Sequence, residues 1–289
     1  MIKRKIIPWV VMAAMVVCSC DENYIEVSKP QIVVEGWIGE NDFPVVIVTQ
    51  NIPISEDYTP LDDLSKYIVK WAKVSISDGT DSVVLTGKYD KGFYPPYIYT
   101  TGRMRGKAGK KYMLKVEYDD KTITASTTIP LQSPKVNGTS VERCEESDTL
   151  YKIAINFTDD TFQKNYYQFF TCVGARNKQF LASYLGSIDD AVLNGTTNFT
   201  VYRGRQITDF NNYTPYFSVN DTVSIKLAQI DEVSYTFWDE FSKTIANASN
   251  MFLAPYTNIH HNISGGIGYW CGMNDTILHF RMSDYKTVP

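Results

Sequence analysis

The chain has 289 residues, 44% of them apolar and 13% aromatic, enough to bury a full core and to exclude an intrinsically disordered protein. It carries 28 basic and 32 acidic residues, and loss of Lys3, Arg4 and Lys5 with the leader described below leaves 25 against 32. That acidic balance argues against nucleic acid, whose binding rests on cations that neutralise phosphates, and against charge-driven adhesion to anionic lipid headgroups.

The chain opens with a basic head, Met1-Ile2-Lys3-Arg4-Lys5, followed by an uncharged run, Ile6–Val17. A basic head, about a dozen apolar residues and a small residue before a cleavage point make a secretory signal, residues 1–19. The run is too short to span a bilayer, which takes about 20 helical residues. Val17-Cys18-Ser19-Cys20 has the form of a bacterial lipobox, with an aliphatic residue three before the cysteine and a small one just before it. Cys20 is the expected acylated N-terminus; Val17 at the cleavage position makes Cys18 the poorer fit. Attachment to the outer membrane would then come from the acyl chains, at about 0.8 kcal/mol per buried methylene.

Residues 20–30, ending Val27-Ser28-Lys29-Pro30, read as a polar tether. From Ile32 the period of two begins. Ile32–Ile38 and Pro44–Thr49 flank Gly39-Glu40-Asn41-Asp42, and Lys73–Ser77 and Ser82–Thr86 flank Asp78-Gly79-Thr80-Asp81. Tyr112–Tyr118 and Thr122–Thr127 flank Asp119-Asp120-Lys121 in the same way. Each is a hairpin signal, and about seven short strands in residues 31–130 describe an immunoglobulin-like β-sandwich without the core signature of antibody domains. Pro130 and Pro134 mark a boundary, since proline stops ladder pairing. Residues 135–289 form a second β-rich region, with strands at Val136–Cys144, Tyr151–Phe157, Tyr166–Val173, Phe180–Tyr184, Thr197–Tyr202, Val223–Gln229 and Thr276–Arg281. Val233, Phe237, Phe241, Ile245 and Ala248 recur at helical spacing after Asp231, predicting one amphipathic helix near 232–249 with Asp231 as N-cap. Ser264–Trp270 reads as a glycine-rich turn before the closing strand.

Catalytic chemistry is sparse. His260-His261 are adjacent and lack the i, i+4 spacing of a zincin. Gly186-Ser187 lacks the second glycine of a nucleophile elbow. Gly265-Gly266-Ile267-Gly268 lacks the Gly-Lys-Ser/Thr of a phosphate loop. The pairs Asp62-Asp63, Asp119-Asp120, Asp159-Asp160 and Asp189-Asp190 fit turn chemistry rather than two carboxylates facing across a sugar or the spaced oxygens of a calcium loop. No metal and no cofactor is expected, and the chain reads as a non-enzyme. Cys144, Cys172 and Cys271 are an odd set, so buried free thiols are favoured while one disulfide stays open. Asp81-Ser82-Val83, Asp148-Thr149-Leu150, Asp221-Thr222-Val223 and Asp275-Thr276-Ile277 have the form of bacterial O-glycosylation sequons, or of strands that begin after an Asp turn. The remaining signal is aromatic. Tyr94 and Tyr97, Tyr213 and Tyr216, and Tyr269 and Trp270 sit in expected loops and are the candidate ligand- or partner-binding residues, because such rings offer apolar area with a polar tip.

Four segments in order carry a family resemblance: Ile32-Val33-Val34-Glu35-Gly36-Trp37-Ile38, Ala72–Gly79, Thr124-Ala125-Ser126-Thr127-Thr128-Ile129-Pro130 and Asn258–Tyr269. Placed after a lipobox, they resemble the outer-membrane lipoproteins classed as domain of unknown function 4249. The resemblance brings no reaction. It implies a setting similar to that of the lipoprotein partners of TonB-dependent transporters, which capture nutrients at the cell surface. Asp21-Glu22 resembles a surface-export signal, while Asn23 shortens the acidic run and leaves an inward-facing placement open. The expected function is a surface-exposed, non-enzymatic accessory or binding partner of such a transporter; the alternatives are an envelope glycan hydrolase and a structural or adhesive surface lipoprotein.

Overall fold

A computed structural model describes residues 30–51, 65–160, 162–193, 195–205, 213–247 and 259–285. Cys20, the leader, the tether up to residue 29 and Asp62-Asp63 lie outside the described residues. The first strands are β1 (Ile32–Gly39), β2 (Val45–Gln50), β3 (Lys73–Ser77), β4 (Ser82–Val84), β5 (Thr86–Tyr89), β6 (Tyr97–Thr100), β7 (Lys111–Tyr118) and β8 (Lys121–Thr128). They are followed by β9 (Lys135–Arg143), β10 (Leu150–Thr158), β11 (Tyr166–Val173), β12 (Leu181–Asp189), β13 (Thr196–Val201), β14 (Phe217–Ser218) and β15 (Thr222–Ile230). Helix α1 (Glu232–Asn247) precedes β16 (Ile263–Ser264) and the fifteen-residue β17 (Ile267–Arg281). The chain is mainly β with this one α-helix among the described residues, as the patterning predicts. The three expected hairpins form, and Asn41, Gly79 and Asp119 supply the positive φ their turns need.

Strands β12-β11-β15-β17-β1-β2-β6-β5 make one eight-stranded sheet. Five strands, β16-β8-β7-β3-β4, cover part of one of its faces. Between them lies a core of Ile32, Val34, Ile38, Val46 and Val48 from the large sheet against Val74, Ile76, Leu114, Val116 and Ile123 from the small one. That is the expected sandwich. A third sheet, β13-β10-β14 with β9 beside β10, encloses a second core in which Ile153, Ile155 and Phe157 meet Phe169, Ile225, Leu227 and Phe280. Alternation along β17 puts Trp270 and Phe280 on the face shared by both cores and Tyr269, Cys271 and Met273 on the other, where α1 packs through Trp238.

The boundary at 130–135 is therefore corrected. It separates two cores but not two sheets, and Gln31–Pro289 is one unit. The physical reason is β17, which pairs parallel with β1 over Ile267–Met273 and antiparallel with β15 over Asn274–Arg281. Side chains reinforce the seam. Asn274 Nδ2 donates to the Pro130 carbonyl at 2.9 Å, and the Thr276 hydroxyl donates to that of Pro134 at 2.9 Å. The Asp231 carboxylate caps α1, accepting from Ser234 N–H at 2.9 Å, and also accepts from the Thr127 hydroxyl of β8 at 2.7 Å. The expected glycine-rich turn is shorter than the sequence reading has it, because Ile267–Trp270 already belong to β17.

Two glycines make the parallel pairing sterically feasible. A Cβ on Gly36 would lie 2.8 Å from the Trp270 ring, and one on Gly268, at φ +117°, would lie 2.0 Å from the Val34 carbonyl oxygen. Gly268→Ala is expected to lower stability by more than about 3 kcal/mol or to abolish folding. Gly138→Ala, in β9 with open space around it, should change stability by less than about 0.5 kcal/mol. Urea denaturation of both variants checks the pair, and equal effects would contradict the steric argument.

Candidate functional site

On the α1 side of the large sheet a small cleft of about 30 Å³, open to solvent, is lined by Trp37, Phe170, Lys178, Phe180, Lys226, Tyr269 and Met273. Alternation brings Trp37 from β1, Tyr269 and Met273 from β17, Lys226 from β15 and Phe170 from β11 to this face. Tyr269 is braced by the α1 rings of Trp238 and Phe237, at 4.7 and 5.2 Å between ring centres, and Phe170 meets Trp238 edge-on at 5.4 Å. The wall is thus a set of rings held by neighbouring rings.

Two loops complete it. Lys178 N–H donates to the Gly92 carbonyl at 2.9 Å, Tyr94 N–H donates to Gln179 Oε1 at 2.8 Å, and Lys178 Nζ pairs with Asp90 at 3.0 Å. These bonds join segment 90–96 to segment 174–180, and Phe93 reaches Trp37 at 6.2 Å between ring centres. The Gly92 N–H, then the Lys178 ammonium, hold the Asp90 carboxyl below its usual range.

The charges are arranged unevenly. Lys226 is 7% exposed and lines the cleft, with its ammonium 3.5 Å from Asp275 Oδ1 and 4.9 Å from the Phe180 ring centre. Lys178, 60% exposed, stands at the mouth. Their partners, Asp275 and Asp90, do not line the cleft. Burial pushes the Asp275 carboxyl up in spite of the Lys226 charge. A unit charge about 5 Å from one ammonium is worth about 3 kcal/mol at an effective dielectric near 20, partly offset by the aspartates behind. The charge the lining presents is therefore positive.

Glu35 shares this face, beside Tyr269 and Ile47 in register and two residues from Trp37. Burial pushes its carboxyl up to about 7, and burial followed by the Glu35 charge pushes the Tyr269 hydroxyl well above its usual value. Sequence reasoning missed both Glu35 and Lys226. The available signal was a lone charge in a strand whose two faces are both apolar, Val33-Val34-Glu35-Gly36-Trp37 and Ser224-Ile225-Lys226-Leu227-Ala228.

Of the six aromatic candidates, Tyr269 lines the cleft and Tyr94 sits on the loop that borders it. Tyr97 packs edge-on against Tyr99 at 5.5 Å and donates its hydroxyl to the Lys70 carbonyl at 3.0 Å. Trp270 is fully buried in the sandwich core, where its indole N–H donates to the Tyr112 carbonyl at 3.1 Å, so it is a core residue and not a binding one. Tyr213 and Tyr216 precede β14, in another sheet. The Tyr213 hydroxyl donates to the Arg203 carbonyl at 2.5 Å, and Lys152 lies 5.6 Å from the Tyr216 ring centre. The structure brings none of these four to the cleft.

Cys144, Cys172 and Cys271 are free and buried. His260 is locked to Glu240, its backbone N–H and Nδ1 each 2.7 Å from one carboxylate oxygen. Against the upward push of burial, these contacts hold Glu240 below its usual range. Among the described acidic pairs, Asp119 sits in a hairpin turn and Asp189 caps a 3₁₀ turn at 190–192. Asp159 is buried beneath the Tyr167 hydroxyl, which donates to it at 2.6 Å. Three of the Asp-Ser/Thr triplets begin strands, while Asp275-Thr276-Ile277 lies within β17. Among the described residues, no group of three or more His, Cys, Asp or Glu side chains is placed to hold a metal ion.

Fold and cleft together define a mainly β protein whose one broad sheet carries two cores on one face and a helix-braced aromatic cleft on the other. The chain belongs to the family described as Domain of unknown function (DUF4249), whose model matches residues 20–277. No curated protein matches it.

The raised carboxyl of Glu35 gives a signed pH dependence. The unfolded carboxyl titrates near 4.5 and the folded one near 7, so the folded state holds the proton more tightly. Its contribution to stability is full below about pH 4.5 and is lost as pH rises through 7. At 1.36 kcal/mol per unit the loss is on the order of 3 kcal/mol. Glu35→Gln should match the parent at pH 4 and exceed it by about 2–3 kcal/mol at pH 8 in urea denaturation. An equal difference at both pH values would refute the burial argument.

Proposed function

We propose that this chain is a lipid-anchored outer-membrane protein of the cell surface, a non-enzymatic binding partner of a TonB-dependent transporter in nutrient uptake. The observation that carries the binding role is the cleft itself. It gathers four aromatic rings, a thioether and two ammonium groups around a small solvent-open space, a combination of rings and fixed positive charge suited to contact with a partner protein. The anchor rests on the Val17-Cys18-Ser19-Cys20 lipobox, and the family match beginning at residue 20 supports a leader that ends just before it. The acidic balance of the processed chain leaves acylation as the means of attachment. The transporter partnership rests on the resemblance in setting to lipoproteins that serve such transporters.

Cys20→Ala is expected to move the protein from the membrane fraction to a soluble or unprocessed form. Retention of the variant at parental level after carbonate washing would refute lipidation. Affinity purification of the parent from detergent-solubilised outer membrane should recover a β-barrel transporter in stoichiometric yield. Repeated recovery of the lipoprotein without any barrel would refute the partnership.

A further inference from the structure

We infer that the end of the sandwich from which the tether leaves is laid on the lipid surface, with the Trp71 ring set among the headgroups. The inference rests on the lipid anchor proposed above and adds which face of the protein that anchor brings to the membrane. Three observations carry it.

The first is reach. Cys20 and Pro30 are ten residues apart, and ten residues at full extension span at most about 36 Å. The chain enters the large sheet at Ile32, and register puts the start of β17 beside it, with Val33 opposite Ile267. From there the fifteen residues of β17 run to Arg281, about 46 Å at 3.3 Å per step. The far end, where the second core lies, is beyond the reach of the anchor.

The second is what stands at the near end. Asn51 N–H donates to the Gln31 carbonyl at 3.0 Å beside the tether, and Ile68 pairs with Thr49 close by. On the small sheet, Lys73 opens β3 opposite Glu117, one pair before the turn that joins β7 to β8. Gly266 lies against the Ile32 carbonyl and the Ile123 side chain, so these ends of the two sheets meet. Trp71, two residues before β3, is therefore at the tether end. It is 89% exposed, whereas Trp238 and Trp270 are buried and Trp37 is half-buried. The run Lys66-Tyr67-Ile68-Val69-Lys70-Trp71 sets tyrosine, tryptophan and lysine side by side, the residue types that anchor proteins at membrane–water interfaces.

The third is how firmly that segment is held. Val69 N–H donates to the Val48 carbonyl at 2.9 Å, and the Tyr99 hydroxyl donates to the Val69 carbonyl at 2.8 Å. The Tyr97 hydroxyl donates to the Lys70 carbonyl at 3.0 Å, and Ala72 N–H donates to the Tyr99 hydroxyl at 3.1 Å. The backbone on both sides of Trp71 is fixed while its ring is left in solvent, so seating the ring in a bilayer orders little else. The acyl chains supply the attachment, and the ring need only choose the orientation. Charge does not choose it. Lys66, Lys70, Lys73 and Lys121 share this end with Glu117, Asp119 and Asp120, and Glu56, Asp57, Asp62 and Asp63 precede them in sequence. The contact is apolar, as an acidic chain requires.

The test uses the full lipidated chain in phosphatidylcholine vesicles, read by tryptophan fluorescence. Trp71 emission is the difference between the parent and Trp71→Phe, a surface change that should leave the unfolding transition in place. Lipid brominated high on its acyl chains should lower that emission about twofold or more, and aqueous iodide should leave it nearly unchanged. Phe162→Trp in the Trp71→Phe background puts a reporter at a 98% exposed site on the loop before β11. Iodide should quench this reporter and brominated lipid should not. Trp71 emission quenched by iodide and untouched by brominated lipid, or both sites quenched alike by the lipid, would overturn the inference. Shielding of Trp71 that arises only when a co-purified barrel is added would assign this face to a protein and overturn it as well. A chain that does not float with the vesicles sinks the anchor reading and this inference with it. A floating chain whose Trp71 stays in water sinks this inference alone.

Discussion

The structure depends on one strand being shared. β17 closes the chain by pairing parallel with β1, more than 200 residues earlier, and antiparallel with β15. A parallel pair of this kind cannot be made by a hairpin and needs a long connection. Here the connection includes both small sheets, the helix and most of the second core. Closing so long a loop is entropically costly, although the cost grows only with the logarithm of its length, and it must be met by contacts formed on both faces of β17. Those contacts exist: Trp270 enters the sandwich core, Phe280 enters the second core, and Tyr269, Cys271 and Met273 pack with the rings of α1. Without β17, two cores would have separate fates and the cleft would lose a wall.

Coverage on both faces explains the unusual charges. A sheet with one solvated face would leave Glu35 and Lys226 in water as ordinary outward residues. Because helix and loops cover the second face, strict alternation carries those same residues into a partly dry setting. The raised carboxyl of Glu35 and the poorly solvated ammonium of Lys226 are thus consequences of sheet architecture.

Much of this architecture is legible in the residues, and the illegible part has a common cause. Short-range signals carry through. Asp78-Gly79 and Asp119-Asp120 do form turns, Asp231 does cap α1, and alternation in Ile32–Ile38 does set the core face of β1. What fails is whatever needs a partner distant in sequence. Pro130 and Pro134 look like a domain boundary locally, yet their carbonyls are bonded to Asn274 and Thr276. Trp270 looks like a loop aromatic because three glycines precede it within five residues, yet those glycines allow close strand approach and bury it. Tyr269, its neighbour, is the candidate that reaches the cleft, since alternation sends adjacent residues to opposite faces. Glu35 and Lys226 escaped notice because a single charge in a strand is unremarkable until both faces are known to be covered.

The Lys226–Asp275 pair bears on why the cleft is built this way. A buried ion pair is weak evidence for stability: replacing one by apolar side chains of like volume is often neutral or stabilising by about 1–4 kcal/mol. The separation of 3.5 Å makes a large net gain here less plausible still, because Coulomb attraction meets the desolvation of both charges only when geometry is good. One member of the pair faces the cleft and the other stands behind it, so the charge the fold leaves on the lining is positive. Asp275 then holds the Lys226 ammonium in place beside the Phe180 ring. The same sheet that unites the two cores supplies the fixed frame against which that ammonium is aimed.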